Sequence, residues 1–230
     1  MSQPQDDTVS AKGVEKSFAQ EKGAPRVPVL RGVDLQIGAR EFVCLMGSSG
    51  SGKTTLLNLV GGLDAADAGT IRVCGEDLAA MQDAARSRFR LKHIGFVFQF
   101  FNLLPNLTVR ENIMLPLLFL NMPEGVARKE ADEMAERVGL SDKLPRPVHQ
   151  LSGGEMQRTG LARGLVHKPS ILLADEPTGN LDSKTGDTIL QLIHDATRQL
   201  GVTVLMATHD PKAAAISDRV IHMQDGRISS

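Results

Sequence analysis

The sequence predicts an α/β fold with a helical segment inserted in its middle. Strand-like apolar runs alternate with helical patterns before residue 100 and again from Ile171 onward, which is typical of a parallel-containing sheet with helices packed over its faces. Between these regions, residues 109–166 follow mostly helical patterns. A chain of 230 residues is long enough to bury one large core of this kind.

Composition narrows the function classes. The chain has 26 Lys and Arg against 27 Asp and Glu, a net charge of −1, so we expect no nucleic-acid partner. Cys44 and Cys74 have no His or second Cys at metal-ligand spacing, and we expect buried reduced thiols rather than a zinc site. The longest apolar run, residues 113–120, is far shorter than the roughly 20 residues of a membrane span. The polar, acidic N-terminus does not resemble a secretory signal.

The elements are expected in the following order. Residues 1–8 are expected to be mobile, and the Gly- and Pro-containing residues 20–28 to form a hairpin loop between short strands. Apolar periodicity then predicts strands over residues 29–37, 41–46, 70–74, 94–99, 171–176 and 202–208, and helices over residues 54–63, 110–120, 126–138 and 184–200. A further helix is expected to open after Ser152, a short one after Asp210, and a hairpin (RVIHMQDGRI) near the C-terminus.

The phosphate loop, defined as residues 47–54 (GSSGSGKT), fits the pattern G-x-x-x-x-G-K-[ST] between an apolar strand and a helix, as its mechanism requires. Its glycines let the backbone N–H groups curl around phosphate oxygens, and the helix adds the positive end of its dipole. Lys53 supplies a charge for the β- and γ-phosphates, and the Thr54 hydroxyl can bind Mg²⁺. The alternative is a flexible Ser/Gly turn. The predicted phosphate contacts are Gly47, Ser48, Ser49, Gly50, Ser51, Gly52, Lys53, Thr54 and Thr55.

Two other segments complete the local predictions. The strand ILLADE ends in Asp175, which can hold Mg²⁺, and Glu176, which can deprotonate an attacking water; the alternative is that the acids cap the next helix. The segment LSGGE (residues 151–155, here the signature segment) places Ser152 and two glycines at a helix N-terminus. This is either an anion site or a plain capping box with Glu155, and both can hold together.

Six motifs in one order, GSSGSGKT, Gln99 after IGFVF, LSGGE, ILLADE, GNLD and THD, resemble the ATP-binding-cassette (ABC) ATPases over nearly the whole chain. The resemblance implies a P-loop NTPase core with a mixed sheet, an N-terminal antiparallel β subdomain and an inserted α-helical subdomain. Residues 1–103 and 167–230 would form the core with the β subdomain, and residues 104–166 the helical subdomain. It also implies a head-to-tail homodimer around two ATP molecules.

The resemblance carries roles to individual residues. Ser152, Gly153, Gly154 and Glu155 would face the γ-phosphate bound by the other copy, and Asp182 would couple the two sites. Gln99 would join Thr54 and Asp175 around Mg²⁺, Glu176 would be the catalytic base, and His209 would steady the γ-phosphate and the attacking water.

Two departures from the family pattern stand out. Glu155 occupies a position where many members have Gln, and the adenine-stacking aromatic, often Tyr, can only be Phe18, because the chain has no Tyr or Trp. Phe keeps the stacking face and loses the hydroxyl. The alternative is that Phe18 is a core residue of an N-terminal strand.

The sequence around the motifs resembles that of a bacterial subgroup that includes the lipoprotein-releasing, macrolide-exporting and cell-division ATPases. This implies separate integral membrane permease subunits, contacted by residues 100–105 and the apolar helix over residues 113–120, and a peripheral place on the cytoplasmic side of the inner membrane. The competing hypothesis is a soluble ABC ATPase of DNA repair, cell division or translation. The cluster Arg86, Arg88, Arg90 and Lys92 fits a solvated or phospholipid-facing rim better than a DNA site.

Overall fold

A computed structural model describes residues 7–19 and 25–229. The strands are β1 (Asp7–Ala19), β2 (Arg26–Gly38), β3 (Phe42–Met46), β4 (Ala68–Val73), β5 (Glu76–Asp77), β6 (Ile94–Phe98), β7 (Ile171–Asp175), β8 (Thr203–Thr208), β9 (Arg219–Gln224) and β10 (Arg227–Ser229). The helices are α1 (Lys53–Val60), α2 (Asp83–His93), α3 (Val109–Phe119), α4 (Glu124–Arg137), α5 (Gly153–Leu165), α6 (Ser183–Leu200) and α7 (Pro211–Ile216).

Most predicted elements are present within a few residues of their expected limits, and two local expectations are wrong. Residues 7–8 and 26–28 belong to β1 and β2 and not to a mobile segment or a loop; the expectations for residues 1–6 and 20–24 lie outside the described residues. Cys44 is buried in β3, but Cys74 is only partly buried and has a φ of 50°. β4 ends at Val73, where the chain turns toward β5, so Cys74 is a turn residue.

The chain divides into two compact units, and the first contains residues 1–90 and 203–230. Its first sheet is antiparallel: β1 pairs with β2 on one side and with β4 on the other, and the short β5 pairs with the outer side of β4. In its second sheet β3 is parallel to both β8 and β9, while β10 is antiparallel to β9. The predicted antiparallel β subdomain and mixed sheet are therefore confirmed. The residues of β8 are all buried, as expected for a strand covered on both faces.

The second unit contains residues 91–202. Its strands β6 and β7 are parallel and in register from Ile94 opposite Ile171 to Phe98 opposite Asp175. Helices α3, α4 and α5 pack on one another, with their buried faces formed by residues such as Ile113, Ala131 and Leu161. The helical subdomain predicted over residues 104–166 lies within this unit, and its limits stay a prediction.

Candidate functional site

The phosphate loop joins β3 to α1, as its sequence pattern predicts. Gly52 precedes the helix with a φ of 106°, a left-handed conformation that residues with a Cβ rarely adopt. No side chain caps this helix end, and the first-turn N–H groups of a helix have no acceptor within the helix itself. The loop therefore presents main-chain donors and the positive end of the helix dipole to an anion.

Two side chains inside the loop fit a phosphate ligand. Lys53 is only 7% exposed, and its Nζ donates to the carbonyl oxygens of Gly47 (2.8 Å) and Ser48 (3.0 Å), so the ammonium is held against the loop. Ser51 is also buried, and its hydroxyl finds no hydrogen-bond partner among the described residues. A buried, unsatisfied hydroxyl carries a desolvation cost that a phosphate oxygen would offset.

His209 lies at the same end of the sheet as the phosphate loop. It directly follows β8, whose last residue Thr208 is paired in parallel with Met46, and Met46 directly precedes Gly47. Asp210 accepts from the backbone N–H of Lys212 and caps α7. Within the first unit the structure thus brings the predicted γ-phosphate histidine to the strand end that begins the loop.

Phe18 is a surface residue near the end of β1, 43% exposed. The Nζ of Lys16 lies 5.0 Å from the centroid of its ring, and the same Nζ donates to Asp64 (2.8 Å) and to the carbonyl of Ala65 (2.7 Å). The alternative that Phe18 is a core residue is therefore wrong. Its ring is accessible to a flat ligand and is held next to a fixed cation.

In the second unit the ends of β6 and β7 bring three predicted site residues together. Phe98 pairs with Asp175, so Gln99 and Glu176 each follow directly on neighbouring strand ends. Glu176 adopts a left-handed φ of 45°, which turns the chain sharply after Asp175. Gln99 is tied to the GNLD segment, because its Nε2 donates to Asn180 Oδ1 (3.3 Å) and Asn180 Nδ2 donates to the Gln99 carbonyl (3.0 Å).

Sequence reasoning gave no role to Gln157, which holds this arrangement in place. The residue is fully buried on α5, and its Nε2 donates to the carbonyls of Pro177 (2.7 Å) and Phe98 (3.3 Å). It therefore links α5 to the segments that end β6 and β7. The sequence signal for this role is a polar residue at a position of α5 that faces the interior. Because buried amides are nearly always hydrogen-bonded, such a residue indicates a contact with another segment.

The signature segment forms the capping box that was one of its two interpretations. Glu155 Oε2 accepts from the backbone N–H (2.8 Å) and the hydroxyl (2.9 Å) of Ser152, and Ser152 Oγ accepts from the N–H of Glu155 (3.3 Å). The backbone N–H of Ser152 is the largest of the hydrogen-bond effects that hold the pKa of Glu155 below its ordinary value. The second interpretation, an anion site, stays a prediction.

The N-termini of α5 and α6 meet closely. A Cβ on Gly154 would lie 2.4 Å from the Cγ2 of Thr185, so a larger residue here would force the Thr185 side chain to move. Asp182 caps α6, its Oδ1 accepting from the Thr185 N–H at 3.1 Å and its Oδ2 from the Thr185 hydroxyl at 2.5 Å. Asp182 and the signature segment are therefore neighbours in the fold.

The predicted Mg²⁺ ligands are divided between the units, with Thr54 in the first and Gln99 and Asp175 in the second. All three offer the oxygen atoms that Mg²⁺ prefers. In the part of the chain that the structure describes, no group of three or more His, Cys, Asp or Glu side chains could hold a metal ion. The predicted Mg²⁺ ligands include a single carboxylate, that of Asp175, so they do not form a cluster of that type.

The family model described as ABC transporter matches residues 30–179, more than half of the chain. The chain belongs to the ABC transporter family. The ABC ATPase resemblance drawn from its six motifs is thereby confirmed.

Individual relatives narrow the position within the ABC transporter family. The chain is 47% identical over 222 residues to the lipoprotein-releasing system ATP-binding protein LolD of Anaeromyxobacter dehalogenans (strain 2CP-C), covering 96% of this chain and 92% of the relative. It is 46% identical to the macrolide export ATP-binding/permease protein MacB of Rhodopirellula baltica (strain DSM 10527 / NCIMB 13988 / SH1), covering 88% of this chain and 30% of MacB.

Solved structures of ABC cassettes share the fold. An ATP-binding cassette in a dimeric, post-hydrolysis state bound to ADP and Pi superimposes with a TM-score of 0.89 at 39% identity, covering 96% of this chain and 97% of that chain. The cbiO1 protein of Clostridium perfringens, part of an ABC transporter complex, matches with a TM-score of 0.86 at 26% identity, covering 98% of this chain and 88% of that chain. The predicted α/β architecture is the one these cassettes have.

Proposed function

We propose that this chain is the ATP-binding and ATP-hydrolysing subunit of an ABC transporter, in which two copies close head to tail around two ATP molecules and drive separate integral membrane subunits. The observation that carries the proposal is a complete phosphate loop between β3 and α1, in a chain that matches a lipoprotein-releasing ATP-binding protein over 96% of its length. Such relatives, with the macrolide export protein, favour lipoprotein release or macrolide export as the type of transporter.

In this proposal the nucleotide is held mainly by its phosphates. The N–H groups of residues 47–55 and the ammonium of Lys53 bind the phosphate oxygens, and Lys53 exchanges one of its loop carbonyls for them. Phe18 stacks against the adenine. The buried hydroxyl of Ser51 supplies one further donor inside the loop.

Mg²⁺ would be held by the hydroxyl of Thr54, the carbonyl oxygen of the Gln99 side chain and the carboxylate of Asp175. The Nε2 of Gln99 already donates to Asn180, which leaves the side-chain carbonyl oxygen as the atom that would bind the cation. When bound, the ion neutralises charge on the phosphate oxygens.

Hydrolysis in this proposal depends on Glu176 and His209. Glu176 accepts the proton of the attacking water as a general base, which needs a carboxylate within hydrogen-bond reach of that water. The left-handed backbone of Glu176 ends the strand directly after Asp175, and in this proposal the two adjacent acids take separate roles. His209, at the strand end beside the phosphate loop, orients the γ-phosphate and the water.

The second copy completes each site. The N-terminus of α5, with Ser152, Gly153 and Gly154, would approach the γ-phosphate bound by the partner copy, and Asp182 would connect the two sites through its contact with Thr185. A related cassette has been solved as a dimer bound to ADP and Pi, which supports this arrangement.

A membrane partner is proposed on the second unit. Six large apolar side chains among the described residues of this unit are exposed, and we call the five that lie within residues 100–120 the exposed apolar set: Phe100, Leu104, Leu118, Phe119 and Leu120; the sixth is Val126 on α4. Other apolar residues of α3, such as Ile113 and Leu117, fill the interior of the unit. Within the described residues no helix could span a bilayer, and the proposed location is the cytoplasmic side of the bacterial inner membrane, attached to permease subunits.

Replacing Glu176 by Gln tests the hydrolytic role. The substitution keeps size and hydrogen bonding but removes the base, so the rate of ATP hydrolysis should fall by about 10²–10⁴-fold, and ATP-bound dimers should accumulate in sedimentation velocity runs. Glu136→Gln, at an exposed position of α4, is the matched control. A Glu176→Gln protein that hydrolyses ATP at the wild-type rate would contradict the assignment.

A further inference from the structure

Glu155 places a negative charge at the start of α5. Its side chain is 18% exposed, and its Oε2 is occupied by the backbone N–H and hydroxyl of Ser152. A carboxylate at this position stabilises the helix through the dipole. The carboxylate also occupies the N–H and hydroxyl donors of Ser152. It places a negative charge at the helix end that, in the proposed function, binds the γ-phosphate of the partner's ATP.

Lys143 lies against the other oxygen of this carboxylate. It ends the short 3₁₀ turn Ser141–Lys143, and its Nζ is 3.4 Å from Glu155 Oε1. Its side chain is 21% exposed, so both partners are largely withdrawn from water. Asp142 also contacts Lys143, at 3.1 Å, but it is 71% exposed, and solvent screens an exposed partner much more strongly.

The charges of Glu155 and Lys143 would both act on a phosphate bound at this helix end. An unneutralised carboxylate beside a phosphate site repels the phosphate, and the repulsion is stronger where solvent is partly excluded. A neutral Gln at position 155 would leave no charge to compensate. A cation beside the signature segment is therefore needed only while residue 155 is a carboxylate.

We propose that Lys143 is a positioning residue of the ATP site, acting through Glu155. By neutralising that carboxylate, it allows the N-terminus of α5 to accept the γ-phosphate of ATP held by a second copy of the chain. The inference rests on the proposed function, and it predicts that Lys143 matters only while residue 155 is charged.

The test is a double-mutant cycle on the full chain carrying Glu176→Gln, which prevents turnover. The ATP concentration for half-maximal dimerisation is measured by sedimentation for this parent, for Lys143→Met, for Glu155→Gln and for both together. Lys143→Met should raise this concentration at least fivefold over the parent. With Glu155→Gln also present, Lys143→Met should change it less than twofold. Binding of labelled ATP to the monomer should be unchanged throughout.

Two further variants test whether the positive charge of Lys143 is the cause of the effect. Lys143→Arg retains the cation and should remain within twofold of the parent, as should Asp142→Asn, which removes only the exposed neighbour. Thermal unfolding midpoints establish that each variant is folded. A Lys143→Arg protein as impaired as Lys143→Met would show that charge is not the cause.

The outcomes separate the inference from the function on which it rests. An equal loss with and without Glu155→Gln would overturn the inference, since Lys143 would then act on ATP directly or through the fold. No loss in either background would also overturn it. A parent that binds ATP but stays monomeric at saturating nucleotide would contradict the proposed function itself.

Discussion

Phe18 is the one candidate for stacking on adenine, because the chain contains no Tyr or Trp. Stacking of a base on an aromatic ring contributes about 1–3 kcal/mol as measured by substitution with alanine. Phe18→Ala should therefore weaken ATP binding by about 5- to 150-fold, as measured by equilibrium binding of labelled ATP. Phe18→Tyr retains the ring and should bind about as tightly as wild type.

The matched control for this substitution is Val27→Ala, which removes an exposed apolar side chain of β2 opposite Phe18 in the strand pair. It should leave ATP affinity within twofold of wild type. If Phe18→Ala bound ATP as tightly as Val27→Ala does, the adenine would be held elsewhere.

The candidate residues differ in how well sequence predicts them. Lys53, Asp175 and Glu176 lie in motifs whose spacing is set by one strand and one turn, so local sequence is enough to predict that they lie at the start of a helix or the end of a strand; their roles stay predictions. Gln157 and Lys143 act through contacts with residues well away from them in sequence, such as the Gln157 bond to Phe98. No local pattern encodes such a contact, and only the folded chain reveals it.

The capping box of α3 offers a test of helix stability separate from catalysis. Glu111 Oε2 accepts from the N–H (2.7 Å) and hydroxyl (2.8 Å) of Thr108, and Thr108 Oγ1 accepts from the N–H of Glu111 (3.2 Å). Thr108→Ala should lower the free energy of unfolding by about 1 kcal/mol, measured by urea denaturation. Thr108→Ser, which keeps the hydroxyl, is the control, and an equal loss in both variants would exclude the cap as the cause.

The same box makes stability depend on pH. The backbone N–H of Thr108, followed by its hydroxyl, lowers the pKa of Glu111 below its ordinary value. A lowered folded-state pKa contributes stability that is present above the unfolded value, about 4.3, and is lost as pH falls through the folded value. Glu111→Gln should therefore make the free energy of unfolding, measured by urea denaturation, fall less steeply below about pH 4.3 than it does in the control Glu136→Gln. If the two variants lost stability equally at acid pH, Glu111 would not be the cause.

The helix α6, which has an apolar face, was predicted from the sequence, whereas the helix α2, which has none, was not. The limits expected for α6 differ by one residue from the observed helix, because its buried positions recur with helical periodicity and Asp182 and Gly201 cap its ends. No residue of α2 is buried, so it has no apolar stripe, and its sequence suggested only a basic cluster with near-helical spacing. One of its cations ties it to the rest of the first unit, since Arg90 donates to the Gly62 carbonyl, whereas the Arg86–Asp83 ion pair lies within the helix itself.

The near-neutral charge of the chain fits a subunit whose anion binding is confined to one loop and one helix end. With 26 cationic and 27 acidic side chains, the chain has no net positive charge that would attract anions to its surface as a whole. The feature that points instead to a large partner is the exposed apolar set of the second unit. Phe100 is 73% and Phe119 68% exposed, and side chains of this size gain most when a partner removes them from water.

Polar substitutions in the exposed apolar set should break the proposed attachment without unfolding the chain. We expect Phe100→Ser combined with Phe119→Ser to keep a wild-type thermal midpoint, because neither side chain is buried, and to lose the integral membrane protein that co-purifies with the wild-type chain from detergent-solubilised membranes. Val27→Ser, which changes an exposed apolar residue of the first unit, should retain that protein. If the double variant still brought down the same membrane protein in full amount, the attachment would lie elsewhere. A wild-type chain recovered only with nucleic acid or ribosomes would contradict the transporter assignment.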